Sequence, residues 1–329
     1  MTSLPYFRAI AHDLLGVKMA GTIYVTGPPD ANNIVCLCAG FPCDQSSLMP
    51  LAAHLAESGC LVGVTCFPEF DREGPALRPQ GYDMEETAAC FAQAVAALKQ
   101  VSTAKASKLS LVVHDFGVVP GFCHSNCVGC DKLVVFDVLP THPIKDKPDR
   151  ISDALVQLNY QLLFATSFKL SRVWEPLGRM WLTLGMIATF GLLRRWLNPI
   201  GPKDVRGGVL GAVGFLPYQR PDKAASGAVR PTPFRCNPYY HMLKHALNPS
   251  EIARLGNLAS FEGSLAKQPI CYLYGEEKNT FYHTEVQLAK LRATPGCEVH
   301  AVADAGHWLY KHAPDVCFPV VRRFILGAG

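Results

Sequence analysis

Five short, mostly apolar runs constrain this chain more than anything else in it. They are Ile34–Ala39, Leu61–Cys66, Leu109–His114, Leu133–Val138 and Ile270–Tyr274. Runs of this length, rich in β-branched residues and lacking polar alternation, suit strands covered on both faces, as in a parallel sheet. Glu298–Val302 supplies a candidate sixth strand. Ser47–Glu57 and Met84–Leu98 read as amphipathic helices between them, and a further helix follows Gly117. Strand and helix in alternation imply right-handed crossovers and a doubly wound, mostly parallel sheet.

The alternation stops between Leu139 and about Ser264, where helical residues and Pro/Gly connectors such as Asn198–Gly208 and Pro217–Pro233 replace strand runs. The expected organisation is a core in two parts, 1–139 and 266–329, with a helical cap inserted at 140–265. In open α/β sheets, ligands bind beyond the carboxyl ends of the strands. A cap inserted there would cover the crevice.

Composition excludes several classes. Hydrophobic residues make up 49% of the 329 and charged residues 18%, too apolar for a disordered chain. The net charge of +4 is spread along the chain, which argues against a nucleic-acid face. Met1 to Val17 lacks the charged-then-apolar shape of a signal peptide, so a cytoplasmic location and reduced thiols are expected for the thirteen cysteines. Cys123, Cys127 and Cys130 form a C-x3-C-x2-C cluster, but no second ligand pair follows at zinc-finger spacing. They read as packing thiols. Met180–Leu193 is uncharged for 14 residues, short of the roughly 20 a bilayer span needs. With Trp181 and Arg194-Arg195-Trp196 at its flanks, the segment 180–196 reads as a buried helix or one making peripheral contact with a membrane surface.

Chemistry should sit just after the strands. Val113-His114-Asp115-Phe116-Gly117 leads from a strand into a helix, the shape of a nucleophile elbow with Asp115 in the central position. The turn would aim Asp115 into the crevice and bring the Phe116 backbone N–H to the reacting centre. Alternatively, Asp115 caps the following helix. Ala39-Gly40-Phe41-Pro42 follows the first core strand, where a second oxyanion donor, the Phe41 N–H, would lie. Asp304-Ala305-Gly306-His307-Trp308 places a histidine past the last strand, as a base or as a core residue.

With these motifs the chain resembles the α/β-hydrolase superfamily, in particular its epoxide hydrolase and haloalkane dehalogenase branch, with a G-H-D-W-G elbow and an aspartate nucleophile. Asn159-Tyr160-Gln161-Leu162-Leu163-Phe164 is similar to the D-Y-Q-L-Y-F segment of soluble epoxide hydrolases, and Asn237-Pro238-Tyr239-Tyr240-His241 to their N-W-Y-R segment. The offsets from Asp115 match as well, 160 − 115 = 45 and 240 − 115 = 125. The resemblance implies an α/β-hydrolase fold with a helical cap and epoxide opening to a vicinal diol through an Asp115-linked ester. Tyr160 and Tyr240 would then be the donors to the epoxide oxygen, His307 the general base, and Phe41 and Phe116 the oxyanion hole. It implies no cofactor and no metal; the apolar cap and the numerous Phe residues suggest a small hydrophobic substrate, such as a fatty-acid or terpenoid epoxide, with water as the second reactant beside the membrane contact of 180–196.

The dehalogenase alternatives fit less well. The tryptophan or arginine that follows the nucleophile there is Phe116 here, and the cap His-Trp pair of fluoroacetate dehalogenases is Gln161-Leu162. An opening epoxide develops an alkoxide, which phenolic O–H donors suit. The third triad member is open. The usual string is Tyr274-Gly275-Glu276-Glu277-Lys278, offering Glu276 or Glu277. The other candidate is Asp137, at the end of the preceding strand and 137 − 115 = 22 residues on. An acid inside an apolar strand is costly unless paired, which favours Asp137. Two departures mark a divergent member, Ala39 in place of the usual histidine and Thr65-Cys66-Phe67-Pro68-Glu69-Phe70 in place of D-x-P-G-x-G. A dehalogenase, an ester hydrolase, a non-catalytic ligand-binding protein on the same scaffold and a lipid-handling protein at the membrane are the rival readings.

Overall fold

The computed structural model describes residues 7–14, 17–72, 76–140, 151–186, 188, 232–277 and 282–327. Its centre is an eight-stranded sheet. The strands are β1 (Arg8–Leu14), β2 (Val17–Thr26), β3 (Asn33–Cys38), β4 (Leu61–Thr65), β5 (Lys108–His114), β6 (Lys132–Phe136), β7 (Ile270–Gly275) and β8 (Glu298–Val302). They lie in the order β1-β2-β4-β3-β5-β6-β7-β8. From β4 through β8 every pairing is parallel, while β1 and β2 form an antiparallel hairpin and β2 pairs antiparallel with β4. That hairpin escapes a search for apolar runs. Arg8–Leu14 and Val17–Thr26 mix polar and apolar residues, as an antiparallel pair at the margin of a sheet does.

The mostly apolar strands are explained by helices on both faces. On one face pack α1 (Met49–Glu57) and, after the one-turn α10 (Leu309–His312), α11 (Pro314–Leu326), through Leu51, Leu55, Cys317, Val321 and Phe324. On the other pack α2 (Met84–Val101), α3 (Val118–Cys127) and α9 (Glu285–Ala293), through Phe91, Val95, Leu98, Phe122, Leu288 and Leu291. Alternate residues of β5 point into the two layers, Val112 into the first and Leu111 and Val113 into the second. Local chemistry sets helix starts. Asp83 and Glu86 form a reciprocal capping box at α2, and Thr284 and Gln287 form another at α9.

Between β6 and β7 come α4 (Ile151–Ser171), α5 (Glu175–Met186), α6 (Asn237–Ala246), α7 (Pro249–Leu258) and the short α8 (Phe261–Leu265). α4 and α5 form a close hairpin. A β-carbon at Gly178 would lie 2.6 Å from the Ser171 nitrogen and 2.7 Å from the Ser167 carbonyl, so only glycine permits this approach, while one at Gly185 would displace the Leu163 side chain. α6 crosses α4 and is tied to the core by Asn237, whose Oδ1 accepts from the Tyr82 N–H at 3.2 Å. The divergent Thr65–Phe70 segment anchors the same region. Buried Glu69 accepts from the Tyr82 hydroxyl at 2.8 Å and from the Arg78 N–H at 3.0 Å, and buried Arg235 donates to the Pro42 and Phe70 carbonyls.

Trp174, just before α5, and Met180, Trp181 and Leu184 on it are exposed. Residues 187 and 189–196 of the sequence-predicted interfacial segment lie outside the described residues. No described helix is long and apolar enough to cross a membrane.

Candidate active site

β5 ends at His114, and Asp115 turns the chain with φ of 52° before the single 3-10 turn Asp115–Gly117 leads into α3. A left-handed aspartate costs on the order of 1 kcal/mol, and the site holds it by close packing. Gly40 lies hard against the turn. A β-carbon there would stand 2.4 Å from the His114 carbonyl, 2.6 Å from the Phe116 nitrogen and 2.8 Å from Asp115 Cβ. At Gly117 a β-carbon would meet the Cys38 carbonyl at 2.7 Å. The spacing of small residues around Asp115 is therefore steric. It also sets the Gly40-Phe41 loop beside the Phe116 amide.

His307 follows β8 and the left-handed Asp304. Its Nε2 is 3.6 Å from Asp115 Oδ1, and its Nδ1 hydrogen-bonds Asp137 Oδ2. Asp137 has φ of 71°, comes directly after β6 and is fully buried. A buried carboxylate costs several kcal/mol unless matched, and the imidazole supplies the match. The backbone of Asp137 is fixed too. Its N–H donates to the Leu273 carbonyl at 2.7 Å, and its carbonyl accepts from the Tyr272 hydroxyl at 3.1 Å. Glu276 and Glu277 are exposed, and their N–H groups bond the Val302 and Ala305 carbonyls. The structure thus brings Asp115, His307 and Asp137 together and leaves the two glutamates outside.

His114 supports His307 from beneath. Its Nε2 donates to the His307 carbonyl at 3.0 Å, and its Nδ1 accepts from the Tyr310 hydroxyl at 3.4 Å. Burial, reinforced by nearby His307, pushes the His114 pKa well below the usual histidine range, so the ring stays neutral. Trp308 stands edge-on to His307, with ring centroids 4.8 Å apart, and its indole N–H points to Cys43 Sγ at 3.2 Å.

The cap tyrosines are arranged differently from the sequence expectation. Tyr160 on α4 is buried beside the site, and its hydroxyl is 2.5 Å from that of Tyr282. Tyr240, the second donor expected from the sequence, packs away from Tyr160. Its ring lies on Phe168, about two helical turns along α4 from Tyr160, and on His241. The adjacent Tyr239 takes the inward place, with its ring 4.6 Å from Phe116, 4.9 Å from Phe41 and 5.9 Å from Tyr160. Tandem tyrosines lie about 100° apart on a helix, so a motif match one residue out of phase selects the wrong face. Burial raises the Tyr160, Tyr239 and Tyr282 pKa values, and the Asp115 charge adds to the effect at each. All three phenols therefore sit in the field of the candidate nucleophile. Tyr282 has no motif of its own. Topology brings it in, through a parallel bridge to Val138 and a bond from the Leu139 N–H to its carbonyl at 2.9 Å.

All thirteen cysteines are free. Cys123 is buried, Cys130 half-buried and Cys127 exposed. Among the described residues, the only three metal-ligating side chains whose donor atoms converge are Cys271, Glu298 and His300, on β7 and β8, and Glu298 is also held by Arg323.

No family model and no curated protein matches the chain. Solved structures do. A laboratory-evolved variant of potato epoxide hydrolase superposes with a TM-score of 0.61 at 16% identity, over 97% of this chain and 99% of the other. A loop variant of the Bradyrhizobium elkanii haloalkane dehalogenase gives 0.58 at 15%, over 98% and 97%. A thermophilic esterase from Thermogutta terrifontis gives 0.58 at 16%, over 97% and 98%. At such identities the likeness is one of architecture, and with the strand order and inserted helices it shows that the chain has the α/β-hydrolase fold.

Proposed function

We propose that this protein opens an epoxide to a vicinal diol in two steps, through an ester on Asp115. The observation that carries the proposal is the convergence of a strained, strand-end carboxylate, a histidine 3.6 Å from it backed by a buried aspartate, and a cap phenol over the same centre. An Asp115 oxygen attacks an epoxide carbon, the carbon–oxygen bond breaks, and the leaving oxygen takes a proton from Tyr160. His307, oriented by Asp137, then removes a proton from water as the water attacks the ester carbonyl. The Phe41 and Phe116 N–H groups hold the oxyanion, each worth about 3–4 kcal/mol in such sites. Collapse releases the diol and Asp115, and the surplus proton returns to Tyr160. The steps require no metal or organic cofactor.

Epoxide is preferred over halide because of the donors present. The residue after the nucleophile is Phe116, and the indole N–H of nearby Trp308 is directed at Cys43. Three phenols, those of Tyr160, Tyr239 and Tyr282, in contrast lie near enough for the Asp115 charge to act on them. The rings of Phe41, Phe67, Phe116, Phe164 and Tyr239 pack around the site and favour a hydrophobic substrate. The test is product analysis with lipid, aryl and small alkyl epoxides, beside haloalkanes and activated esters. Diol formation abolished by Asp115→Ala supports the proposal. Halide or carboxylate release with no diol from any epoxide refutes it.

A further inference from the structure

Resting on that reading, we infer that Tyr282, a residue of the core, is the second phenol of the reaction and acts through Tyr160 rather than beside it. The Tyr282 O–H donates to the Tyr160 oxygen, and Tyr160 alone donates to the epoxide oxygen. The spacing of the two hydroxyls carries the inference. They are 2.5 Å apart, a direct phenol–phenol hydrogen bond. Two donors sharing one acceptor at ordinary hydrogen-bond lengths and tetrahedral directions stand about 4–4.5 Å from each other. At 2.5 Å one phenol gives its proton to the other, so the pair can offer at most one O–H to a substrate oxygen.

The surroundings decide which phenol is terminal. Tyr160 packs against Phe164 and Tyr239, among the rings that line the cleft over Asp115. Tyr282 is held from behind by the backbone bridge to Val138 and the Leu139 N–H, next to the strand end that presents Asp137. Burial pushes both phenols up.

In the first step the new Asp115–carbon bond forms as the epoxide carbon–oxygen bond breaks. The freed electron pair takes the Tyr160 proton. The resulting phenolate is stabilised by the O–H that Tyr282 retains, and the proton released during ester hydrolysis restores Tyr160. Tyr282 is thus a positioning residue. Because Tyr160 rides on cap helix α4 and Tyr282 on the core, the pair exists only when α4 is seated.

Single-turnover stopped-flow on an epoxide that the wild type hydrolyses separates alkylation from ester hydrolysis. Tyr282→Phe should slow alkylation about ten- to a hundredfold, the effect of losing one hydrogen bond to a charged group, with hydrolysis unchanged. Tyr160→Phe should slow alkylation further, and Tyr240→Phe should leave both steps within about twofold of wild type. The double variant Tyr160→Phe/Tyr282→Phe should match Tyr160→Phe alone, because Tyr282 has no other route to the substrate. Multiplying losses would establish parallel donors and overturn the inference, as would a wild-type alkylation rate in Tyr282→Phe. Should Tyr282→Phe misfold, 3-fluorotyrosine at position 282 keeps the ring and strengthens the donor. Alkylation at or above the wild-type rate supports the inference, and a loss overturns it. A wild type that forms no ester with any epoxide removes the parent reading and this inference together.

Discussion

Asp137 is the residue whose replacement tests the two-step scheme most finely. Asparagine is the right substitute, because Asp137 has φ of 71°, a conformation that asparagine tolerates and most residues do not. Asp137→Asn preserves size and removes the charge opposite the His307 Nδ1. During ester hydrolysis His307 becomes an imidazolium. Two unit charges about 4 Å apart at an effective dielectric of 20 attract by about 4 kcal/mol, or roughly a thousandfold in rate. Alkylation uses Asp115 and the phenols, so it should stay within about threefold of wild type. Trp308, 4.8 Å from the His307 ring, is a natural fluorescence reporter for both phases. The expected trace has a normal first phase and a second phase slowed about a thousandfold, with ester accumulating. If both phases slow equally, or if Glu276→Gln or Glu277→Gln reproduces the defect while Asp137→Asn does not, the assignment of the acid is refuted.

Three further outcomes follow from the packing. Gly40→Ala should abolish turnover and lower Tm by several degrees, because its β-carbon would fall within 2.4–2.8 Å of the elbow; a thermal melt and a diol assay check this. Burial, with a contribution from Lys99, depresses the His124 pKa to about 4, and neither ring nitrogen has a hydrogen-bond partner among the described residues. The unfolded chain therefore takes up a proton near pH 6.5 that the folded chain takes up only near pH 4, and stability is lost as pH falls across that window. His124→Leu should reduce the fall in Tm between pH 7 and pH 5 by a few degrees, read by scanning fluorimetry. Native thiol titration should label Cys127 fast, Cys130 and Cys297 slowly and the buried thiols only after denaturation, since Cys127 is exposed and burial pushes Cys130 up to about 12.

Whatever depends on strand-level hydrophobicity was legible in the sequence. Ile34–Ala39, Leu61–Cys66, Leu109–His114 and Leu133–Val138 are mostly apolar because helices cover both faces of the sheet. The places of Asp115, Asp137 and His307 followed from the rule that chemistry sits at strand ends, and burial cost pointed to Asp137 over the glutamates. The β1–β2 hairpin was hidden because an edge pair needs no apolar run. Tyr240 was chosen over Tyr239 because local strings do not fix helical phase to one residue. Tyr282 had no signal, since its place near Tyr160 depends on a bridge between Val138 and a residue 144 positions on, 282 − 138 = 144. Glu69 likewise read as a departure from a motif, whereas it supports Tyr82 and, through it, the cap.

The central claim is a covalent bond between Asp115 and substrate, and intact mass of the His307→Gln protein tests it most directly. After incubation with the epoxide panel, the variant should carry one adduct of substrate mass, localised by peptide mapping to Asp115 and absent from Asp115→Asn/His307→Gln. Folded His307→Gln protein that stays unmodified by every epoxide, or an adduct on another residue, would contradict the account.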